Sequence, residues 1–195
     1  MTNKLLFAVT LLSALGCGLI GGVFFAFSTF VMKALTAIPP SQGIMAMKSI
    51  NVTVLNPVFL TAFLATAVAC VILAVGSLLT WQEPGAACIL VGSALYLLGT
   101  FLVTVVCNVP RNEALATLDP ASAESARIWV EYVRGWTAWN HVRTIAALAA
   151  SAVLMAALWF SCGRGAAPKL NNRHPLNIMS TAKKQSNRRV DIVQC

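Results

Sequence analysis

Four long stretches of the sequence contain no charged residue, and they constrain the fold more than any other feature. They cover residues 5–32, 56–82, 84–110 and 144–163. A helix of roughly 20 apolar residues is long enough to cross the hydrocarbon core of a bilayer. Each stretch meets that length, and a soluble domain of this size has too little interior to bury them all. We therefore predict an all-α fold, a four-transmembrane-helix antiparallel bundle.

The composition agrees with a membrane protein. Hydrophobic residues make up 58% of the chain and charged residues only 10%, whereas soluble domains carry about 25% charged residues. The first stretch follows Lys4, as the core of a signal peptide would. It is, however, much longer than the roughly 7–15 residues of such a core. We interpret it as an uncleaved transmembrane helix.

The positive charges predict an orientation. We expect one transmembrane domain over residues 1–163 and a basic, disordered cytoplasmic tail over residues 164–195. Eight of the 14 Lys and Arg residues fall on the side shared by the N-terminus, the second turn and the tail. Because positive flanks stay in the cytoplasm, both termini are predicted to be cytoplasmic, in a bacterial inner (plasma) membrane.

Several residues predict where helices begin, end and pack. Asn56-Pro57 is typical of an N-cap followed by Pro in the first turn, and Asp119-Pro120 repeats the pattern before the fourth span. Pro110 is expected to end the third span. Small residues four positions apart in the first span predict a face where another helix packs closely. They are Ala14, Gly18, Gly22 and Ala26.

The segment before the fourth span is predicted to form an amphipathic extension of that span. At about 100° per residue, its charged and aromatic side chains fall on opposite sides of a helix. The charged side is expected to be solvated, with its charges three or four positions apart. That side holds Glu124, Arg127, Glu131 and Arg134, and the other holds Trp129, Val133, Trp136, Trp139, Asn140 and Arg143.

Polar and aromatic residues gather where this extension enters the membrane. Polar groups at such a depth are costly and tend to be functional, so we predict a candidate site there. An aromatic belt with Arg143 reaching lipid phosphates is the alternative, and Asn residues beside Pro110 could instead satisfy backbone carbonyls. His141 points nearer to the charged side than to the Trp side. The residues expected to converge are Asn51, Asn56, Asn108, Asn112, Trp136, Trp139, Asn140, His141 and Arg143.

Several kinds of chemistry are not expected from this sequence. A haem held in a bundle needs two facing His residues, but His174 falls in the tail and leaves only His141. The four stretches contain no carboxylate for a di-iron site or a proton relay. The six Cys include no C-x-x-C pair, so neither a reactive cysteine pair nor a disulfide framework is expected. We predict no metal, no cofactor and no nucleic-acid partner.

Three segments resemble the anthrone oxygenase-like family of small four-helix integral membrane proteins. They are GGVFFAFS at 21–28, NVPRN at 108–112 and WTAWNHVRT at 136–144. The resemblance extends over roughly residues 5–160 and departs at Lys33, where a Pro is expected. This departure bears on the geometry of the first loop and not on the fold.

The resemblance implies oxidation of anthrone-like phenolic aromatics by molecular oxygen, without a cofactor. It implies His141 as the base, and Arg143 with Asn140 and Asn108 as a clamp for the substrate oxyanion. Substrate-binding residues would be Trp136, Trp139, Phe24 and Asn112. The partners would be the lipid bilayer, a small aromatic substrate and molecular oxygen. The alternative is a non-catalytic membrane protein, either a small-molecule binder or a subunit of a complex. A transporter is a weaker third hypothesis, since no buried charge is expected for ion coupling.

Overall fold

The structure, a computed structural model, describes residues 3–163, and the predicted tail lies outside the described residues. The described chain is helical throughout, apart from short turns. The α-helices are α1 (Asn3–Ala26), α2 (Met32–Thr36), α3 (Pro40–Thr53), α4 (Pro57–Leu79), α5 (Ala86–Ala94), α6 (Val109–Ala116) and α7 (Ala123–Gly163). Three π-helical segments join some of them: Phe27–Val31, Leu95–Leu102 and Thr104–Asn108.

Four helices are long and apolar enough to cross a membrane, which confirms the predicted fold class. They are Lys4–Thr36, Pro57–Leu79, Ala86–Ala116 and Ala123–Phe160. The fourth has 38 residues, which at about 1.5 Å per residue reach roughly 57 Å. That length exceeds a hydrocarbon core of about 30 Å, so the predicted amphipathic extension protrudes from the apolar part of the bundle.

The four spans form a closed antiparallel ring in which each packs against its neighbours in sequence. α1 also packs along α7 and closes the ring, while α5 lies between α4 and α7. A buried apolar core, here called the span cluster, fills the centre. It contains Ala14, Cys17, Ile20, Phe24, Phe63, Ala67, Cys70, Leu73, Ile89, Tyr96, Ala150, Leu154 and Ala157.

The small-residue face predicted on α1 is only partly correct. Ala14 is buried, and a Cβ at Gly18 would lie 3.2 Å from the Ser151 hydroxyl. Gly22, however, is exposed and has open space around its missing side chain. The tight contact is at Gly21, where a Cβ would come within 2.8 Å of Leu148. The face that packs against α7 is therefore rotated away from the predicted one.

A second apolar cluster lies at one end of the bundle, outside the span cluster. It joins α2, α3 and α6 to the N-terminal part of α7, and Lys48 on α3 donates to the Leu118 carbonyl at 2.6 Å. We call it the end cluster. It contains Met32, Leu35, Ile44, Met47, Leu115, Trp129, Tyr132 and Trp136.

The predicted start of the second span is confirmed, and that of the fourth is wrong. Asn56 accepts a bond from the Phe59 backbone nitrogen at 3.0 Å and caps α4. α7 begins at Ala123, where Ser122 accepts a bond from the Ser125 backbone nitrogen at 3.0 Å. Asp119 instead accepts a bond from the nitrogen of Ala121 at 3.0 Å. Its carboxylate closes a turn before the helix, so Ser122 takes the capping position.

Pro110 does not end the third span, contrary to the prediction. The helix continues through the π-helical segment Thr104–Asn108 into α6, with Pro110 in the first turn of α6. A Pro is tolerated there because its missing N–H would have no partner in the first turn of a helix. Arg111 donates to the carbonyl of Cys107 and supplies one of the donors lost at this junction.

Candidate functional site

Arg143 lies at the junction of the span cluster and the end cluster. Only 4% of this residue is exposed. Its guanidinium carbon sits 4.1 Å from the ring centroid of Phe24, which belongs to the span cluster. The same carbon sits 5.2 Å from the ring of Trp136, which belongs to the end cluster. Arg143 is therefore held between two aromatic rings, a favourable arrangement for a cation.

Asn140 ties this cation to the first span. Its side-chain nitrogen donates to the Phe24 carbonyl and to the Ser28 hydroxyl, both at 2.7 Å. Its side-chain oxygen accepts a bond from Nη2 of Arg143 at 2.6 Å. All three contacts are buried or half-buried, so the amide fixes the position of the guanidinium relative to α1. Thr144 adds a hydroxyl contact to Ser28 at 3.2 Å.

The third span contributes hydroxyl and amide groups from the opposite side. Thr104 lies 3.3 Å from Nη1 of Arg143. Asn108 donates to the Trp136 carbonyl at 3.2 Å, and Asn112 accepts bonds from the Trp136 indole at 2.8 Å and from the Tyr132 hydroxyl at 3.0 Å. These two Asn residues bind α7 groups and not the backbone next to Pro110. Asn108 thus satisfies a backbone carbonyl of α7, and Asn112 binds two side chains of α7.

π-Helical segments carry several of these residues. Ser28 lies in Phe27–Val31, and Thr104 and Asn108 lie in Thr104–Asn108. A π-helical turn is rare and is frequently found at functional sites, because it changes the direction in which side chains leave the helix. Here the two segments turn hydroxyl and amide groups toward α7.

The charge on Arg143 has no carboxylate partner in the part of the chain that the structure describes. Every acidic residue between Asn3 and Gly163 is exposed, and the side-chain partners of Arg143 are the neutral Asn140 and Thr104. Removing a charge from water is expensive unless the charge is paired. Two buried polar atoms also lack a partner here, Nε of Arg143 and Oδ1 of Asn108. One is a donor and the other an acceptor.

The structure brings together most of the predicted site residues, but not all of them. Asn108, Trp136, Asn140 and Arg143 are buried side by side with Phe24, and half-buried Asn112 adjoins them. The remaining predicted residues lie elsewhere. His141 is exposed, Trp139 is 37% exposed, and Asn56 is exposed at the start of α4. Asn51, on α3, lies next to the hydroxyl of Tyr132 and keeps a buried amide nitrogen without a partner.

The position of His141 follows from helix geometry. It lies two residues before Arg143 on the same helix, which separates the two side chains by about 200°. The buried side of α7 at this level holds Asn140 and Arg143, so the imidazole faces away from them. This agrees with the sequence, in which His141 falls nearer to the charged side of the helix.

Several residues of the site could not be identified from the sequence. Ser28, Thr104 and Thr144 are single hydroxyl residues within apolar stretches, where such residues commonly bond to their own helix. Tyr132 could have been found by helical periodicity, because at about 100° per residue it falls on the same side of the helix as Trp136 and Arg143. A usable signal was present for Ser28, because the segment 21–28 already carried the family resemblance.

The comparison with known protein families gives one match. The sequence model described as anthrone oxygenase matches residues 52–153, just over half of the chain. The chain belongs to the anthrone oxygenase family. No curated protein and no solved structure matches it.

The match to the anthrone oxygenase family covers only part of the Arg143 site. Asn108, Asn112, Asn140 and Arg143 fall inside the matched residues, whereas Phe24 and Ser28 on the first span precede them. In this chain the first span nevertheless contributes the ring and the carbonyl that hold Arg143 and Asn140. The site is therefore completed by a segment outside the match.

Proposed function

We propose that this membrane protein oxidises anthrone-like phenolic aromatics with molecular oxygen and needs no cofactor. The observation that carries the proposal is the buried Arg143, which is held between two rings and pairs with no carboxylate in the described chain. A buried cation of this kind stabilises an anion that binds next to it. Membership of the anthrone oxygenase family supports the same substrate class.

The chemistry requires the substrate to become an anion. An anthrone loses a proton from its central methylene carbon and becomes an electron-rich phenolate, which can react directly with molecular oxygen. The resulting hydroperoxide loses water to form the quinone. One anthrone and one O₂ thus yield one anthraquinone and one H₂O. Stabilising the phenolate oxygen lowers the cost of the first step, so a fixed positive group at that oxygen accelerates the reaction.

The residues of the site have complementary roles in this proposal. Arg143 binds the phenolate oxygen through its unpartnered Nε, and Asn140 keeps the guanidinium in place. The free oxygen of Asn108 accepts a bond from a hydroxyl group of the substrate. Phe24 and Trp136 offer apolar ring surface to the fused rings, and Asn112 orients Trp136 through its indole N–H. Trp139, more exposed on α7, contacts the outer part of the substrate.

The proposed mechanism needs an acceptor for the proton that leaves the methylene carbon of the substrate. His141, the base that the resemblance implies, is exposed on the other side of α7 from Arg143. His141 could accept a proton only from a substrate that extends around α7 to the exposed side of this helix. Its role stays a prediction, and the Arg143 clamp does not depend on it.

A non-catalytic role is favoured by one observation. Every hydrogen-bonding group of the Asn140 side chain is occupied within the protein, by α1 on one side and by Arg143 on the other. The same network would serve a protein in which Arg143 only joins helices, or binds an anionic molecule without transforming it. The experiment must therefore separate binding from turnover.

The test uses the full chain purified in detergent, with anthrone as the substrate. Oxygen uptake and quinone absorbance are followed together, against the spontaneous oxidation measured without protein. We expect the protein to accelerate both signals with equal stoichiometry, and Arg143→Ala to remove the acceleration. Saturable binding of anthrone with no acceleration would favour the non-catalytic alternative and contradict the oxygenase proposal.

A further inference from the structure

A second arginine, Arg111 on α6, leaves most of its hydrogen-bonding groups unused. The residue is half-buried, and its Nη1 donates to the carbonyl of Cys107. A guanidinium carries several further N–H groups, and none of them has a partner within residues 3–163. No carboxylate in the same range pairs with Arg111 either. The remaining N–H groups can therefore bind an anion that comes from outside the described chain.

α7 leaves space for this guanidinium at Gly135. A Cβ at Gly135 would lie 3.1 Å from Nε of Arg111 and 3.8 Å from its Nη2. Gly destabilises the interior of a helix relative to Ala, so a Gly in the middle of α7 calls for a packing reason. Here the missing side chain allows the guanidinium of Arg111 to lie against the backbone of α7.

The exposed surface of the third span and α7 changes its character at the level of Arg111. Toward the middle of the bundle, the exposed side chains of these two helices are large and apolar: Leu102, Val105, Val106, Val142 and Ile145. Toward the end cluster, the exposed side chains include charged ones: Glu113, Glu131 and Arg134. Apolar side chains suit the hydrocarbon core and charged ones suit water. Arg111 therefore lies at the depth of the lipid headgroups.

Trp139 lies one turn after Gly135, on the same side of α7, since residues four positions apart share one side of a helix. Trp139 is 37% exposed, and its indole N–H has no hydrogen-bond partner among the described residues. A Trp at the membrane boundary places its ring against acyl chains and its N–H near the headgroups. Trp139 thus adds an unused donor on the side of α7 that Arg111 contacts.

We propose that Arg111 and Trp139 bind the phosphate group of an anionic phospholipid, with Gly135 providing the space for the guanidinium. Arginine binds phosphate oxygens through two N–H groups at once, and the acyl chains would pack against the exposed Val residues of the two helices. The sequence suggested Arg143 for contact with lipid phosphates. Arg143 is buried, and Arg111 takes that role.

A lipid bound at Arg111 would hold α6 against α7 next to the candidate site. Asn112 directly follows Arg111 and accepts bonds from Trp136 and Tyr132 of α7. The lipid would therefore support the same contact between helices from the membrane side. The lipid site does not depend on whether the protein oxidises anthrones.

The test uses the full-length protein in detergent, with phosphatidylglycerol as the probe and bound lipid counted by native mass spectrometry. Phosphatidylcholine, which has a phosphate but no net charge, is the lipid control and should bind more weakly. Arg111→Gln keeps a donor for the Cys107 carbonyl but removes the charge. We expect its affinity for phosphatidylglycerol to be about fivefold lower, the size expected for the loss of one Arg at an anionic lipid surface.

Gly135→Leu tests the built site separately from the charge. The new side chain must displace the guanidinium of Arg111, so we expect a similar loss of lipid binding at an unchanged net charge. Circular dichroism checks that each variant keeps its helices.

Arg127→Ala is the matched control, because Arg127 is an exposed Arg of α7 that pairs with Glu124 outside the apolar surface. It should bind phosphatidylglycerol as the unchanged protein does. Equal lipid binding by Arg111→Gln, Gly135→Leu and Arg127→Ala would overturn the proposal, and so would equal binding of the two lipids. Displacement of the lipid by an excess of inorganic phosphate would assign the site to free phosphate and overturn the lipid proposal as well.

Discussion

Nη2 of Arg143 donates to Oδ1 of Asn140 at 2.6 Å, one turn earlier on the same helix. The amide nitrogen of Asn140 is bonded in turn to the first span at Phe24 and Ser28. The guanidinium is therefore oriented by a side chain that is itself held by another helix. Positioning of this kind, fixed before a ligand arrives, gives a buried charge its effect on a bound anion.

Removing the charge of Arg143 should abolish the proposed reaction. We expect Arg143→Ala to lower the protein-dependent rate of anthrone oxidation by about 10²–10³-fold, as for the loss of an oxyanion-stabilising donor. Oxygen uptake and quinone formation are the measurements. Arg134→Ala is the matched control, since Arg134 is an exposed Arg of the same helix, and it should keep the full rate.

Asn140→Asp tests whether the unpaired charge matters in itself. The new carboxylate would still accept a bond from Arg143, but it would neutralise the charge of the guanidinium. The variant would also lose the two bonds that the Asn140 amide donates to α1. We expect anthrone oxidation to fall although the guanidinium stays in place. Asn140→Ala should also destabilise the fold by about 1–3 kcal/mol, the cost of an unsatisfied buried partner, measured by unfolding in detergent. An Asn140→Asp protein with an unchanged rate would contradict the oxyanion role of Arg143.

His141→Ala tests whether His141 is the proton acceptor, separately from the role of Arg143 in binding the substrate oxyanion. Because the imidazole is exposed on the side of α7 away from Arg143, we expect this variant to keep most of the rate. A loss of about 10²-fold or more, the usual effect of removing a general base, would show that His141 is the base after all. The comparison is made with Arg143→Ala in the same assay.

Gly21 and Gly22, adjacent on α1, should respond differently to a larger side chain. Gly21→Leu must displace Leu148, and overpacking of this kind costs about 1–3 kcal/mol. Gly22→Leu enters open space and should leave stability nearly unchanged. Resistance to unfolding by a denaturing detergent is the measurement. Equal effects of the two substitutions would contradict the finding that Gly21, and not Gly22, faces α7.

The orientation of the chain can be measured directly. We propose that both termini are cytoplasmic, so green fluorescent protein fused after residue 195 should fluoresce in bacteria. The same fluorescent protein inserted between Leu118 and Asp119, in the turn before α7, should not fluoresce, because that turn would lie outside the cytoplasm. The opposite pattern would reverse the proposed topology.

The number of spans and the buried side of α7 could be predicted from the sequence, for clear physical reasons. Apolar length depends only on the chain itself, and the positions of Trp129, Trp136 and Arg143 repeat at helical spacing. These residues are all buried in the structure. The charged residues Glu124, Arg127, Glu131 and Arg134 are exposed, as the same periodicity predicts.

The level at which Asn108 and Asn112 meet α7 could be predicted, but the individual side-chain contacts between spans could not. Regular helical spacing does not hold through the π-helical segments, so the directions of Ser28 and Thr104 were not accessible from periodicity. Pro110 looked like a helix end because the π-helical turn before it has no sequence signature.

α7 runs without interruption for 41 residues, and one rigid rod therefore carries both Trp129 of the end cluster and Arg143. A tilt imposed at the N-terminal end of that rod cannot be absorbed by a hinge before it reaches Arg143. The end cluster and the Arg143 site therefore share one continuous helix.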